Sequence, residues 1–564
     1  MAAIVGTMMA LSTQDGCGQE RVPNVPPAAL PDIRLERQRP EASPGTAPEV
    51  QVPTPAPSPS LPGSGGLRFQ LTGVDIEGAT VFPVAEIEAV FEALEGTRVT
   101  LGDVWRAARQ VEKRYRDAGY FLTRVIVPAQ SLPEGRVRVN VLEGFVDQVR
   151  LEGDPGAVEA LIRDYMEPVT RERPLRIGTL ERALLLADDI PGVTVSGLLR
   201  PSSRQVGAAE LVVSAQRKPF DAALLIDNFG DNFTGEWEVS ASLSSNAWTK
   251  FGERLNVVGF ATEPWAEHDQ KVGQASASAR VGGSGLSFET VYSYGDSNPG
   301  DDLEPADFHS RTLLIGGAAL YPFIRSRAFS LVGRVGFEWI DTDTDYFTDE
   351  PFSRDRLRVL SLGSEIETRD ALGGANTLTA VVRQGLPILN ASRRDTGEDG
   401  NGIPTSRDDG TGQATVLRAG FSRLQPLPEN FSLFTDIAGQ YAFAPVLANE
   451  EFQLGATRFG RGYDFDTLNG DDGIGGTAEL RWTLPLHLSW LDTIQAFGFF
   501  EGGQVWSRGG LPDESLSSAG AGVRLFPIEQ VLLELQFGKP LTFDSTRDDG
   551  GRDPQFLFRA VGRL

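Results

Sequence analysis

The sequence predicts a mainly β chain: an antiparallel transmembrane β-barrel of about 16 strands, preceded by two small α+β domains of order β-α-α-β-β. Three observations lead there. After Pro219 apolar and polar residues alternate with period two almost to the end of the chain. Before it, apolar residues recur at helical spacing in two successive stretches of about 75 residues that repeat one element order, as a tandem module does. The connections between the predicted strands alternate between short and long, as periplasmic turns and external loops do.

Residues 1–21 read as an incomplete export signal: an apolar run from Ala2 to Leu11 has no Lys or Arg before it. Residues 22–66 read as a linker, crowded with Pro53, Pro55, Pro57, Pro59 and Pro62 and closed by Gly63-Ser64-Gly65-Gly66, a composition that buries no core. Within it Asp32–Arg39 (DIRLERQR) is a candidate charged helix that would plug a pore, against the plainer reading of a solvated linker.

The first repeat, 67–144, opens with a strand at Val74 and Ile76 and continues with a helix carrying Val84, Ile87, Val90, Phe91 and Leu94. A second helix has Leu101, Val104, Trp105, Ala108, Val111 and Tyr115 on one stripe and ends at Gly119, where a left-handed C-cap suits glycine. Strands Phe121–Val127 and Val137–Val141 complete the unit. The second repeat, 145–217, has a strand through Val149 and Leu151, helices around Leu161 and Leu184, and strands near Val193–Val195 and Glu210–Ser214.

In 218–564 one face of each run is apolar and the other polar: Phe329, Leu331, Gly333, Val335, Phe337 and Trp339 alternate with Ser330, Arg334 and Glu338. Such runs begin near 219, 236, 253, 271, 285, 307, 327, 354, 374, 412, 430, 474, 493, 516, 530 and 554. The two longest connections, about 385–411 and 444–473, both fall on the external side, a bias a soluble sandwich does not predict. Trp237, Trp339 and Phe556 near strand ends fit interface girdles. No stretch reaches the roughly 18 consecutive apolar residues of a spanning helix, so only a closed barrel can span.

A net charge of -25 excludes nucleic acid as a partner, since that affinity rests on a positive surface. Cys17, the single cysteine, forms no internal disulfide. His268, His309 and His487 lie apart, without metal-ligand spacing or a nearby nucleophile motif, and there is no Walker loop, so no enzyme, metal or cofactor is expected. Gly473–Ala478 faintly echoes a dinucleotide fingerprint but opens a strand instead of a helix. Asp341, Asp343 and Asp345 are read as a solvated acidic loop end more readily than as a calcium site.

The first repeat contains Gly119-Tyr120, Val127-Pro128-Ala129-Gln130, Pro133-Glu134-Gly135 and Val141-Leu142-Glu143-Gly144. In that order, ahead of such a barrel, they resemble the polypeptide-transport-associated (POTRA) domains of two-partner secretion transporters, the TpsB proteins. The resemblance runs from about 67 to 564. It includes Arg458-Phe459-Gly460-Arg461-Gly462-Tyr463, similar to the family's signature in the sixth external loop, which folds into the lumen. The family's partner for that arginine is an Asp on the thirteenth strand in Phe-x-Asp-x-Gly; here the stretch reads Phe499-Phe500-Glu501-Gly502-Gly503, with Glu for Asp. Parity puts Glu501 on the lumen face if Phe500 meets lipid, where a guanidinium can bind it bidentately.

The resemblance implies an outer-membrane transporter with its N-terminal domains in the periplasm. They capture an unfolded, TpsA-like secreted polypeptide, which folding outside draws through the barrel. Outer-membrane lipid and the barrel assembly machinery are the other expected partners. Family members commonly end in an aromatic residue read during assembly, where this chain ends Gly562-Arg563-Leu564. On this reading Arg461, Gly462 and Tyr463 form the loop motif, with Glu501 and Gly503 on the barrel wall. Gly119, Pro128, Gly135 and Gly144 shape turns; Tyr120 and Gln130 are open between shaping and binding, and Glu143 either caps a strand end or positions the second repeat. A barrel-assembly factor and a passive porin are the alternatives. Assembly factors usually carry more such repeats, and a porin leaves Arg461 and Glu501 unexplained.

Overall fold

The computed structural model describes residues 50–51, 68–205, 207–231, 233–263, 269–347, 350–393, 402–456, 459–464, 467–508, 512–542 and 553–564. The expected export signal and plug helix lie outside the described residues.

The first unit has a three-stranded sheet in which Arg136–Leu142 lies between Gly73–Glu77, parallel to it, and Arg124–Ile126, antiparallel. Its main helix, Leu101–Asp117, starts at a capping box: the Thr100 hydroxyl accepts from the Asp103 amide, and the Asp103 carboxylate accepts from the Thr100 amide at 2.8 Å. Val104, Ala107, Ala108, Val111 and Tyr115 form its buried stripe against Val137, Val139 and Val141. Two expectations change here. The helix read over Val84–Leu94 divides into Val84–Glu88 and a single turn at Glu92–Leu94. A short pair, Arg68–Gln70 with Arg98–Thr100, closes the unit where no strands were read, three residues being too short for a periodic signal.

In the second unit, helices Glu159–Arg171 and Ile177–Asp188 bury Ile162, Tyr165, Leu180 and Leu184 against strands Phe145–Asp154, Val193–Pro201 and Ala208–Arg217. Val50–Gln51, read as linker, adds in parallel to the edge of Val193–Pro201.

Sixteen antiparallel strands close into one barrel. They are β1 Phe220–Asp227, β2 Glu238–Asn246, β3 Arg254–Thr262, β4 Gln270–Val281, β5 Leu286–Ser297, β6 His309–Arg325, β7 Phe329–Tyr346 and β8 Glu350–Arg369. The second half is β9 Ala375–Gly385, β10 Thr415–Pro426, β11 Phe431–Ala442, β12 Asp472–Leu488, β13 Leu491–Trp506, β14 Glu514–Phe526, β15 Val531–Pro540 and β16 Gln555–Arg563. The barrel and its strand count are thus as predicted. The largest difference in a strand start is β8, which begins before the expected 354 because, past a bulge at Phe352, Pro351 and Glu350 pair with Asp345 and Tyr346 of β7.

Alternation follows the two solvents: Val335 and Leu362 are exposed on the outer face while Ile340 and Ser361 are buried inside. The long external connections are loop 5 (386–414) and loop 6 (443–471). Asp341, Asp343 and Asp345 do not form a loop end; they lie on β7, where Arg358, Arg356 and Arg311 bind them respectively. Arg358 also stacks on Trp339, 3.6 Å from the ring centre.

The second unit docks on the periplasmic turns. The Asp189 carboxylate takes Arg325 of β6 at 2.6 and 2.9 Å, and its backbone carbonyl accepts from Arg280 of β4. Arg182 donates to the Ser284 carbonyl at 3.0 Å, and Leu186 packs on Gly285 in the same β4–β5 turn.

Two arginine substitutions test the orientation of the wall. Val335→Arg, on the lipid face of β7, is expected to cost about 2–4 kcal/mol near the midplane, whereas neighbouring Arg334 already sits on the lumen face. Unfolding titrations in detergent or lipid check this; a neutral effect of Val335→Arg contradicts the assignment of faces.

Candidate functional site: the loop 6 seat in the lumen

Loop 6 turns inward because it has apolar residues to bury and the wall has a place for them. Its stem is a hairpin of Phe452–Leu454 paired with Leu468–Gly470. Phe452, Leu454, Phe459, Tyr463 and Leu468 form a buried cluster with Ala438 of β11, Val505 of β13 and Leu516 of β14. Burying the loop's four Phe and Leu side chains is worth about 1.5–3 kcal/mol each. The seat is cut by glycine: a Cβ at Gly473 would stand 2.1 Å from the Phe452 ring, one at Gly475 2.4 Å from Phe459, and one at Gly503 2.7 Å from Leu454. The glycine run that faintly echoed a nucleotide fingerprint is therefore a groove for the loop.

At the tip, Arg461 reaches three strands. Its Nε donates to Glu501 of β13 at 3.1 Å, and Nη1 to Glu479 of β12 at 2.8 Å and to Gln536 of β15 at 3.3 Å. The guanidinium lies 3.7 Å from the centre of the Phe499 ring. Phe500 is exposed on the outer face and Glu501 is 2% exposed, on the lumen face.

Glu501 does not grip the guanidinium bidentately. One carboxylate oxygen takes Nε; the other takes the backbone amide of Arg461 and the Ser518 hydroxyl. The second guanidinium arm goes to Glu479, a residue the sequence reading missed although its place inside the β12 alternation marks it as lumen-facing. Glu479 is shared with Arg481 and Arg524, each at 2.7 Å, and Arg524 also binds Glu534. Among the described residues, Glu479, Glu501 and Glu534 are met by Arg481 and Arg524 of the wall and by Arg461 of the loop, three guanidinium groups to three carboxylates.

Gly462 lies against the backbone of Lys539 and Pro540, where a Cβ would approach to 2.8 Å. The Tyr463 hydroxyl donates to the Ser517 carbonyl at 2.9 Å and lies 2.6 Å from the Thr542 hydroxyl.

The motif residues of the first unit hold turns and join the two units. Gly119 (φ 91°) and Gly135 (φ 76°) take left-handed backbone; at Gly135 a Cβ would also strike the Gln70 carbonyl. Gly144 presses on Leu122, and its carbonyl accepts from the Leu175 amide of the second unit, as the Gly119 carbonyl does from Ile177. The Tyr120 hydroxyl accepts from Arg176 at 3.0 Å, so Tyr120 is an inter-unit strut. After Pro128 ends its strand, the Gln130 amide both donates to and accepts from the Arg138 backbone, extending the sheet by a side chain.

Glu143 stays within its own unit. Its carboxylate takes the amides of Thr80 and Val81 at 2.7 and 2.9 Å and the Tyr115 hydroxyl at 2.8 Å. Partial burial pushes its pKa upward, but these donors outweigh burial and hold it below the usual glutamate range. Its stabilising contribution is therefore complete above about 4.3, the unfolded value, and is lost as pH falls through the lowered folded value.

Two variants test these contacts. Glu143→Gln is expected to flatten the gain of amide protection over 78–82 as pH rises toward about 5; hydrogen exchange on the full chain measures this, and an unchanged slope contradicts the carboxylate's role. Arg461→Ala leaves a buried carboxylate uncompensated, at a cost of about 3–5 kcal/mol. Protease cleavage within 452–470 on intact cells should then rise; a loop as resistant as before contradicts the charge count.

A family model described as haemolysin secretion/activation protein ShlB/FhaC/HecB matches residues 207–525, and a POTRA domain, ShlB-type, matches 69–144. The heme/hemopexin transporter protein HuxB of Haemophilus influenzae is 22% identical over 492 residues, covering 84% of each chain. The hemolysin transporter protein HpmB of Proteus mirabilis is 23% identical over 519 residues, covering 89% of this chain and 87% of that one. The solved structure of CdiB from Escherichia coli has the same fold, with a TM-score of 0.72 at 21% identity over 91% of this chain and 93% of that chain. The chain belongs to the ShlB/FhaC/HecB family of haemolysin secretion/activation proteins, and is an outer-membrane β-barrel transporter with periplasmic POTRA units that serves a secreted partner protein.

Proposed function

We propose that this chain exports a single TpsA-like polypeptide, captured unfolded by the POTRA units at 67–144 and 145–217 and passed outward through the barrel of 218–564. The observation that carries this reading is loop 6 seated inside the lumen by Arg461, Tyr463 and Glu501. A passive porin leaves the pairing of Arg461 with Glu501 and Glu479 without a role. Relatives named as heme/hemopexin and hemolysin transporter proteins support a secreted protein as cargo.

Capture rests on the sheet edges. Phe145–Asp154 bounds the sheet of the second unit, and an extended cargo segment can add there as a further strand, with main-chain bonds for affinity and side-chain pockets for specificity. The tight inter-unit contacts of Tyr120 with Arg176 and Gly119 with Ile177 present both units to the cargo as one body. Catalysis has no part in this scheme, and outer-membrane lipid and the barrel assembly machinery enter only as surroundings and as the route of biogenesis.

The test compares the extracellular proteins of cells carrying the intact gene, a deletion and an Arg461→Ala allele. One large protein is expected to disappear from outside in both mutants while other outer-membrane barrels stay at normal levels. A joint fall of those barrels instead points to an assembly factor.

A further inference from the structure

Loop 6 is held at its base as well as at its tip, by different residues. The tip binds β12–β15, whereas the segment 446–451 crosses the outer mouth to β6–β10. Leu447 is buried among Leu314, Ile340, Leu357 and Val359. The Asn449 side-chain amide donates to the Thr342 hydroxyl at 2.8 Å. The Glu450 carboxylate takes Arg383 of β9 at 2.5 and 3.1 Å, and Arg383 also binds Glu338 of β7 at 2.8 Å.

Loop 5 joins the same contact. Its Arg407 binds Glu451 at 2.8 Å and Asp471 at 2.7 Å, one on each side of the loop 6 hairpin. Asp471 is 0% exposed and also takes the amides of Val446 and, from loop 7, Arg508, each at 2.7 Å. Ser406 of loop 5 accepts from the Ala448 amide at 3.1 Å, and Thr411 pairs with Val446. The base is also tied to β11 and to loop 7, since Gln440 donates to the Glu450 and Asp471 carbonyls and the Arg508 amide to the Asp471 carboxylate, but none of these contacts involves Arg461. Releasing Arg461 therefore leaves the base across the mouth.

We propose that the clamp of Arg383 and Arg407 on Glu450, Glu451 and Asp471 is a second lock on the outer mouth, and that cargo passes only when it opens. Loop 5 then moves with loop 6, because Arg407 holds both strands of the loop 6 base. This rests on the export reading above.

A reversible tether tests it. Thr342→Cys with Asn449→Cys, in a Cys17→Ser background, ties the base to β7. Ser310→Cys with Thr344→Cys, whose hydroxyls lie 3.3 Å apart on adjacent strands of one wall, is the control. With the 342–449 disulfide formed, cargo release is expected to fall at least about tenfold and to return on reduction, while the oxidised control secretes normally. Undiminished release with the tether formed, or an equal loss in the control pair, overturns the second lock. Release by the reduced form reads out export itself, so failure of that reading shows separately.

Discussion

Charge neutrality inside the barrel is the constraint from which the rest follows. Among the described residues, Glu479, Glu501 and Glu534 inside the lumen meet Arg481 and Arg524 from the strands and Arg461 from loop 6. An uncompensated buried carboxylate costs several kcal/mol, more than a surface ion pair ever returns. Arg461 arrives on a loop as the third of these cations, so the wall and the loop are incomplete without each other. The apolar cluster of Phe452, Leu454, Phe459 and Leu468 gives the loop its affinity for the seat, and the ion pairs fix its register.

The same logic explains Glu501. Its carboxylate spans from Nε to the backbone amide of Arg461 and leaves the second guanidinium arm to Glu479. Recognition is thus distributed over β12, β13 and β15 instead of resting on a single pair. The base of the loop repeats the principle elsewhere, with Arg383 between Glu338 and Glu450. A loop so held lets the channel stay closed while each individual contact remains breakable.

The barrel was legible in the sequence because lipid outside and a polar lumen inside impose alternation on every strand. The family resemblance pointed to Glu501 and Arg461, and parity put Glu501 on the lumen face once Phe500 met lipid. The partners that complete the network could not be placed: Glu479, Gln536, Arg383 and Arg407 belong to strands and loops far apart in sequence, and only closure of the barrel brings them together. In the periplasmic units the amphipathic helices were readable, whereas the Arg68–Gln70 and Arg98–Thr100 pair was too short to leave a periodic trace. Tyr120 could not be assigned because its partner, Arg176, lies in the next repeat.

The most direct measurement is a double-mutant cycle on Arg461 and Glu501, with alanine at each and at both, read as the free energy of barrel unfolding in detergent. If the loop is seated by matched charge, the coupling energy is at least about 1 kcal/mol, and the double variant is less destabilised than the sum of the single ones. A coupling near zero would mean that Arg461 and Glu501 act independently, and that charge matching does not hold loop 6 in the lumen.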